Sequence, residues 1–406
     1  MSTRLQLRQS RRPRVVPGNR ITLLKNGTDF FPALIEAIDA ATAEIRLESY
    51  IFSDDVAGTA IADALKRAAH RKVNVEVLID GVGSYCTPQA FFDAMQRAGV
   101  VVLVFRPERK LFNFKKSRLR RFHRKIALID GRVGFVGGIN LIDDMNECLS
   151  EFPRYDYAVR VEGPVLADIY MEMVRLWRTV SWWKLGRRQS KDPMPDFPTH
   201  VPASLRKDAD VGDMHAFFAV RDNFRHRRDI ERAYLTAIGA ARREVLITSP
   251  YFLPGRHFRR VLMEATERGV KVTLLLQGRA DHVLLQQATR ALYTQLLGAG
   301  IVIYEYHRSM LHGKVAVVDD SWATVGSSNL DPFSLFLNRE ANIVVIDEKF
   351  AGSLRASIME EIQSNASMLD PQDWQKRGLL ARASAWVAYG FARWVMGWLG
   401  FSKRWG

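Results

Sequence analysis

The stretch 123–130 reads HRKIALID, and the stretch 312–319 reads HGKVAVVD. Both follow the pattern His-x-Lys-x4-Asp. Each runs into a small-residue turn ending in asparagine: Gly137-Gly138-Ile139-Asn140 in the first, Gly326-Ser327-Ser328-Asn329 in the second. From histidine to asparagine the spacing is 17 residues in both copies (140 − 123 and 329 − 312). One octet is compatible with chance. Two with the same downstream spacing are a duplicated site.

Side chains alternate along a strand, so His123 and Lys125 share one face while Ile126 and Leu128 point oppositely into a core. His312 and Lys314 repeat this against Val315 and Val317. Asn140 and Asn329, beyond their turns, can return to the histidine side. Each half thus offers an imidazole, an ammonium and an amide. If the halves face each other, two such sets converge on one phosphate.

Outward from the octets the repeat continues. Residues 33–52 read as a helix and then a strand ending at Tyr50, and residues 233–253 repeat this to Tyr251. Apolar strands follow at Val73–Asp80 and Val270–Gln277, then Ala98–Val102 and Ala299–Ile303. Helices alternate with near-continuous β-branched strands, which predicts α/β halves with helices on both sheet faces. The expected division is a basic arm at 1–19, a first half at 20–186 and a proline-rich linker at 187–206. A second half at 207–370 and a tryptophan-rich tail at 371–406 complete it.

A chain of 406 residues with 47% hydrophobic and 25% charged residues is long enough for two globular cores. Its net charge of +15 points to polyanionic partners, either a nucleic acid or an anionic membrane surface. Two cysteines, Cys86 and Cys148, cannot build a disulfide framework, so a reducing compartment fits best. Neither cysteine has metal-ligand spacing, and no clustered ligand set accompanies the octets, so no metal or other cofactor is expected.

Between Phe105 and His123 the first half carries a basic insertion, RPERKLFNFKKSRLRR, at the expected mouth of the site. Trp182 and Trp183 lie among basic residues, as at membrane interfaces, whereas Trp177 is expected in the core. In the tail, Ala383–Phe401 is about long enough to span a bilayer, but Arg393 sits at its middle. An amphipathic helix lying in the membrane surface, with Trp394 and Trp398 among its aromatic anchors, suits this pattern best. A spanning helix and packing within the protein are the alternatives.

The residue types suit phosphodiester exchange. Lys125, Lys314, Asn140 and Asn329 can neutralise and hydrogen-bond the phosphate oxygens. One neutral histidine can attack phosphorus while the other, protonated, donates to the leaving alcohol. Asp156 and Glu340, at strand-like positions downstream of each octet, are candidates to orient or charge-balance the imidazoles and complete the substrate site. Asp130 and Asp319 belong to the motif, but strand alternation turns them to the opposite face, which favours a structural role.

At these residues the chain resembles the phospholipase D superfamily, which two His-x-Lys-x4-Asp motifs define. NGTDFFPALIEAIDAA, ESYIFSDDVAGTAIADALKRAA, LIDGVGS and GSSNLDPFSLFLNREANIVVID are similar to segments of bacterial cardiolipin synthases, particularly the compact type lacking N-terminal transmembrane helices. The resemblance implies two pseudo-symmetric α/β/α sandwich halves with mixed sheets, joined face to face with the active site at their interface. It implies a catalytic set of His123, Lys125, Asp130, His312, Lys314 and Asp319, with His123 as nucleophile and His312 as general acid. The sequence alone does not order the two histidines. The implied reaction moves a phosphatidyl group between phosphatidylglycerol molecules at the cytoplasmic side of the cell membrane, and no nucleic acid partner is expected. A hydrolytic phospholipase D, a nuclease of the superfamily and a noncatalytic lipid-binding scaffold are the competing functions.

Overall fold

A computed structural model of the chain describes residues 14–107, 120–145, 152–186, 211–222, 225–279, 283–376 and 379–398. Residues 1–13 of the expected arm, most of the basic insertion (108–119) and the linker (187–206) lie outside the described residues, as does Cys148. Residues 16–19, the end of that arm, already belong to a strand. The first half contributes β1 (Val16–Lys25), β2 (Glu44–Ser49), β3 (Asn74–Asp80), β4 (Val101–Phe105), β5 (Ile126–Ile129), β6 (Val133–Gly137) and β7 (Tyr157–Glu162). The second contributes β8 (Met214–Arg221), β9 (Glu244–Ser249), β10 (Lys271–Gln277), β11 (Val302–Tyr306), β12 (Val315–Val318), β13 (Trp322–Gly326), β14 (Glu340–Ile346) and the short β15 (Ala366–Met368).

In each half the three strands joined by helical crossovers are parallel, and the octet strand and its successors are antiparallel. That mixture follows from connection length. Parallel neighbours need a long crossover, supplied by helices such as Val56–His70 and Arg256–Glu267, whereas the turns after each octet suit antiparallel return. Asp55 caps the first of these helices, accepting from the Gly58 amide at 2.9 Å. The strands form one sheet in the order β4-β3-β2-β5-β6-β7-β1-β8-β14-β13-β12-β9-β10-β11-β15. The halves therefore join edge to edge as well, where β1 meets β8 at Asn19 opposite Met214.

Both faces of the octet strands are buried. Ala127 and Ile129 pack with Leu34, Ile38, Ile61 and Leu65 in the first half's own core. Ile126 and Leu128 instead share one cluster with Val315, Val317, Val325 and Ile343 of the other half. This shared apolar face is what presses the halves together, because separating them would expose it to water. Trp177 lies in the core beside Phe105 and Phe122, as expected.

The tail helix packs within the protein along one face, the last of its three expected placements. The helix Leu379–Trp398 buries Ala385, Ala388, Tyr389 and Ala392 in the second half's core, where Arg259 donates to the Tyr389 hydroxyl at 3.2 Å. Small residues on that face allow close approach. Its other face leaves Trp386, Val387, Phe391 and Trp394 exposed, and Arg393 sits over the Tyr389 ring. The Trp398 side chain lies outside the described residues. No described helix is long and apolar enough to cross a membrane.

Candidate active site

The halves meet through two short backbone bridges, Phe122 with Arg339 and Tyr155 with Leu311. These fix the histidines. The amide of His123 donates to the Arg339 carbonyl at 2.9 Å, and the amide of His312 donates to the Tyr155 carbonyl at 2.8 Å. The residue after each acceptor is a carboxylate. Nδ1 of His123 lies 3.0 Å from Oε2 of Glu340, and Nδ1 of His312 lies 2.5 Å from Oδ2 of Asp156. Each imidazole is thus gripped by a carboxylate from the opposite half, an exchange that the order of residues along the chain did not reveal. With Nδ1 engaged, Nε2 of each ring is the nitrogen left for chemistry.

The bend before each histidine is also held twice over. Asp80, at the end of β3, accepts the Phe122 amide at 2.9 Å, and Gln277, at the end of β10, accepts the Leu311 amide at 2.9 Å. The regular strands begin only at Ile126 and Val315, so the histidines and lysines occupy extended lead-in segments rather than the strands expected for them. There each lysine turns its Nζ to the carbonyl of its own histidine, at 2.8 Å in the case of Lys125.

Five ionisable groups are drawn towards neutrality here. Burial lowers Lys125 to about 7 and Lys314 to about 8, and the Lys314 charge adds to the effect on Lys125. Burial raises Asp156 to about 7, against the pull of Lys314. Burial lowers His123 too, but Glu340 opposes the change. His312 is driven well below its usual value, first by burial and then by Lys314, Arg154, Lys125 and His123. That His312 feels Lys125 and His123 from the other half places both triplets in one electrostatic environment.

The two carboxylates are supported differently. Ser327 donates to Oε2 of Glu340 at 2.6 Å. Its counterpart Gly138 makes room instead, since a Cβ there would stand 2.3 Å from Oδ1 of Asp156. Asp156 accepts the Tyr157 amide at 2.8 Å. Asn140 is buried and accepts the Ile51 amide at 3.2 Å, while Oδ1 of buried Asn329 has no hydrogen-bond partner among the described residues. An unsatisfied buried oxygen at the end of the second turn is a costly feature unless a ligand meets it. Tyr50 stacks edgewise on His123 with ring centroids 4.8 Å apart, and Lys125 lies over its ring. Tyr50 and Ser327 were not among the expected site residues. Their signal was positional, Tyr50 closing a repeated strand and Ser327 standing where the other copy has glycine.

Asp130 and Asp319 do not join the histidines. Each sits at positive φ (52° and 50°) in the turn after its strand. Asp130 accepts the amides of Thr42, Ala43 and Glu44 at 2.8–2.9 Å, and Asp319 accepts those of Arg242, Arg243 and Glu244. Burial works against ionisation, but these amides outweigh it and hold both carboxyls below their usual value. The motif aspartates fasten the start of β2 and β9, so their inclusion in a catalytic set is corrected to a structural role. Trp182 and Trp183 are exposed, with Trp183 stacked near Phe105 and Arg106. Among the described residues no cluster of three or more His, Cys, Asp or Glu is placed to hold a metal.

Comparison with known proteins identifies the family. The family model for the cardiolipin synthase, PLD-like domain matches residues 34–173 and 234–362, one match for each half. Cardiolipin synthase B of Salmonella typhimurium is 40% identical over 94% of this chain and 90% of its own length. The Escherichia coli protein of the same name is 38% identical over the same shares. Among solved structures, the phosphatidylserine synthase of Haemophilus influenzae superposes with a TM-score of 0.63 at 16% identity, covering 94% of this chain and 95% of the other, which is a likeness of fold. The family model matched in both halves, and the identity of 38–40% to cardiolipin synthase B over 94% of the chain, place this chain in the cardiolipin synthase family of phosphatidyltransferases, within the phospholipase D superfamily.

Proposed function

We propose that this protein joins two phosphatidylglycerol molecules into cardiolipin at the cytoplasmic surface of the cell membrane, releasing glycerol through a phosphohistidine intermediate. The observation that carries this reading is the crossed pair of histidine–carboxylate contacts between two buried lysines. It supplies two imidazoles with free Nε2 atoms and a cationic environment for one phosphodiester.

In this reading His312 is the nucleophile, because its surroundings favour the neutral imidazole most strongly. Burial lowers His123 as well, but Glu340 opposes the change, so His123 is the imidazole assigned to take up and pass on the proton as general acid. This reverses the order implied by the family resemblance. Nε2 of His312 attacks phosphorus, and the bond to the glycerol oxygen breaks as that oxygen takes the His123 proton. The hydroxyl of the second phosphatidylglycerol then returns a proton to His123 and attacks phosphorus, and the bond to His312 breaks. One P–O bond is lost and one is made, so no external energy source is needed. Lys125, Lys314, Asn140 and Asn329 meet the non-bridging oxygens, and the phosphate charge restores the ammonium forms that burial disfavours.

Attachment to the bilayer falls to Trp182, Trp183 and the exposed aromatic face of the tail helix, with Trp394 on it and Trp398 one turn further along. The net charge of +15 favours an anionic surface. The experiment is product analysis from labelled phosphatidylglycerol vesicles. Cardiolipin and free glycerol in equal amounts are expected; phosphatidic acid as the main product would make the protein a hydrolase and overturn the proposal.

A further inference from the structure

In each half, the residue that holds the bend before the histidine also fixes a neighbouring segment. Asp80, which accepts the Phe122 amide, accepts the amides of Val82 and Gly83 at 2.8 Å and 3.2 Å. The loop that follows is tied to the residues around Tyr50. Ser84 donates to the Tyr50 carbonyl at 3.2 Å and accepts the Phe52 amide at 3.0 Å. In the second half Gln277 accepts the Leu311 amide, and Gln286 donates to the carbonyls of Gln277 and Gly278 at 3.4 Å and 2.9 Å. Gln286 belongs to the helix Val283–Arg290. Loop and helix are therefore braced against the two histidine bends and border the mouth of the site.

What these two segments present to solvent is apolar. Val82 and Tyr85 are exposed on the loop, and Val283 and Leu284 are the exposed residues of the helix. Single exposed apolar residues are ordinary on any protein. Here the same place in each half carries a pair. The opposite end of the same strands differs: the residues leading into β3 expose Arg71, Lys72 and Asn74, and those leading into β10 expose Glu267, Arg268 and Lys271. The helix Val283–Arg290 also packs along the tail helix, whose outer face exposes Trp386, Val387, Phe391 and Trp394. Near His312, the exposed Arg308 guanidinium lies 4.3 Å from the centre of the Phe152 ring, itself exposed. Apolar residues edged by guanidinium groups suit the headgroup layer of an anionic membrane.

We propose that Val82 and Tyr85 on one side, and Val283 and Leu284 on the other, are apolar lips of the active-site mouth that sit in the headgroup layer of an anionic bilayer. The inference rests on the membrane attachment proposed above and gives the orientation in which the site meets the lipid. A phospholipid drawn out of the bilayer would expose its acyl chains to water, which the hydrophobic effect opposes. With the lips inserted, the chains stay among their neighbours while the phosphodiester rises between the two histidines. Donor and acceptor enter by the same route, and bulk water is kept from the intermediate.

The first test reads depth. Cys86, next to Tyr85, is exposed and can carry a fluorescent dye in Cys148→Ser protein. Phosphatidylglycerol vesicles should lower acrylamide quenching of that dye about threefold or more, and likewise for the dye on Leu284→Cys in protein lacking both native cysteines. A dye on Asn74→Cys, at the far end of β3, should be quenched as strongly with vesicles as without. Protection missing at either lip, in protein that still sediments with the vesicles, overturns the lips and leaves attachment to the tail. Protection at all three positions reports aggregation rather than insertion and overturns them too. Parent protein that does not sediment overturns the attachment itself, and the lips with it. The second test reads delivery. Tyr85→Ser with Leu284→Ser should lower turnover of vesicle phosphatidylglycerol about tenfold relative to a short-chain phosphatidylglycerol below its micelle concentration. An unmoved ratio denies that the lips bring the substrate to the site.

Discussion

Oδ2 of Asp156 lies 2.5 Å from Nδ1 of His312, although the carboxylate belongs to the first half and the imidazole to the second. The mirror contact, Glu340 to His123, spans the interface in the other direction. Neither half alone can orient its own histidine, so the two octets work only as a pair. Asp156→Asn and Glu340→Gln keep the shape but lose the charge and can fix the wrong tautomer. Each should lower kcat by about 10²–10⁴-fold, the range seen when a histidine loses its orienting carboxylate. Initial rates of cardiolipin formation check this, with circular dichroism confirming the fold; a loss under threefold in both would deny the carboxylates their role.

On the proposed proton assignment, the covalent intermediate forms on His312. Rapid quenching during turnover of headgroup-distal labelled phosphatidylglycerol, followed by peptide mapping, should find the label in the peptide containing residues 312–319. Label on the 123–130 peptide would exchange the roles of the two histidines. His123→Ala should allow slow formation of the same adduct from a donor with a good leaving group, since such a donor needs no general acid.

Asp130 is argued to hold a turn rather than a substrate. Asp130→Ala leaves three backbone amides without their acceptor and keeps a β-carbon at positive φ, which should cost roughly 1–3 kcal/mol of stability. Thermal denaturation should show the lowered midpoint, while kcat per folded molecule falls less than tenfold. A variant as stable as the parent but inactive would return Asp130 to the chemistry.

The fold was legible because duplication makes the pattern self-checking: the strands Asn74–Asp80 and Lys271–Gln277 fall within one residue of their expected starts. Asp156 and Glu340 were legible as partners of the histidines, but not their exchange between halves. Local pattern cannot show which half a side chain crosses to. The tail's alanine face was hidden for a related reason. Ala385, Ala388 and Ala392 look apolar whether they meet lipid or protein, and only the facing surface decides.

Lys125 offers a pH test with a definite sign. Below about pH 7 it is protonated both folded and unfolded, and the native state bears the full cost of the buried ammonium. Between there and its unfolded value of about 10.4 the unfolded chain binds the extra proton, so stability rises with pH. Lys125→Met removes this dependence. The variant should melt above the parent at about pH 6, and the advantage should shrink by about pH 9. An advantage that is constant or grows with pH would mean that the buried lysine is not destabilised as described.

The tail helix separates two kinds of substitution by face. Trp386 and Trp394 are exposed, so changing both to serine should leave the melting temperature within about 2 °C of the parent. If that face lies in the bilayer surface, the double variant should lose most of its co-sedimentation with phosphatidylglycerol vesicles, because two indoles provide much of the apolar area available for insertion. Ala388→Arg acts on the docked face, where a buried charge forces the helix from the second half's core, and should lower the melting temperature by several degrees even without lipid. If the serine variant sediments like the parent, the outward aromatics are not the anchor, and attachment passes to Trp182, Trp183 and the basic surface.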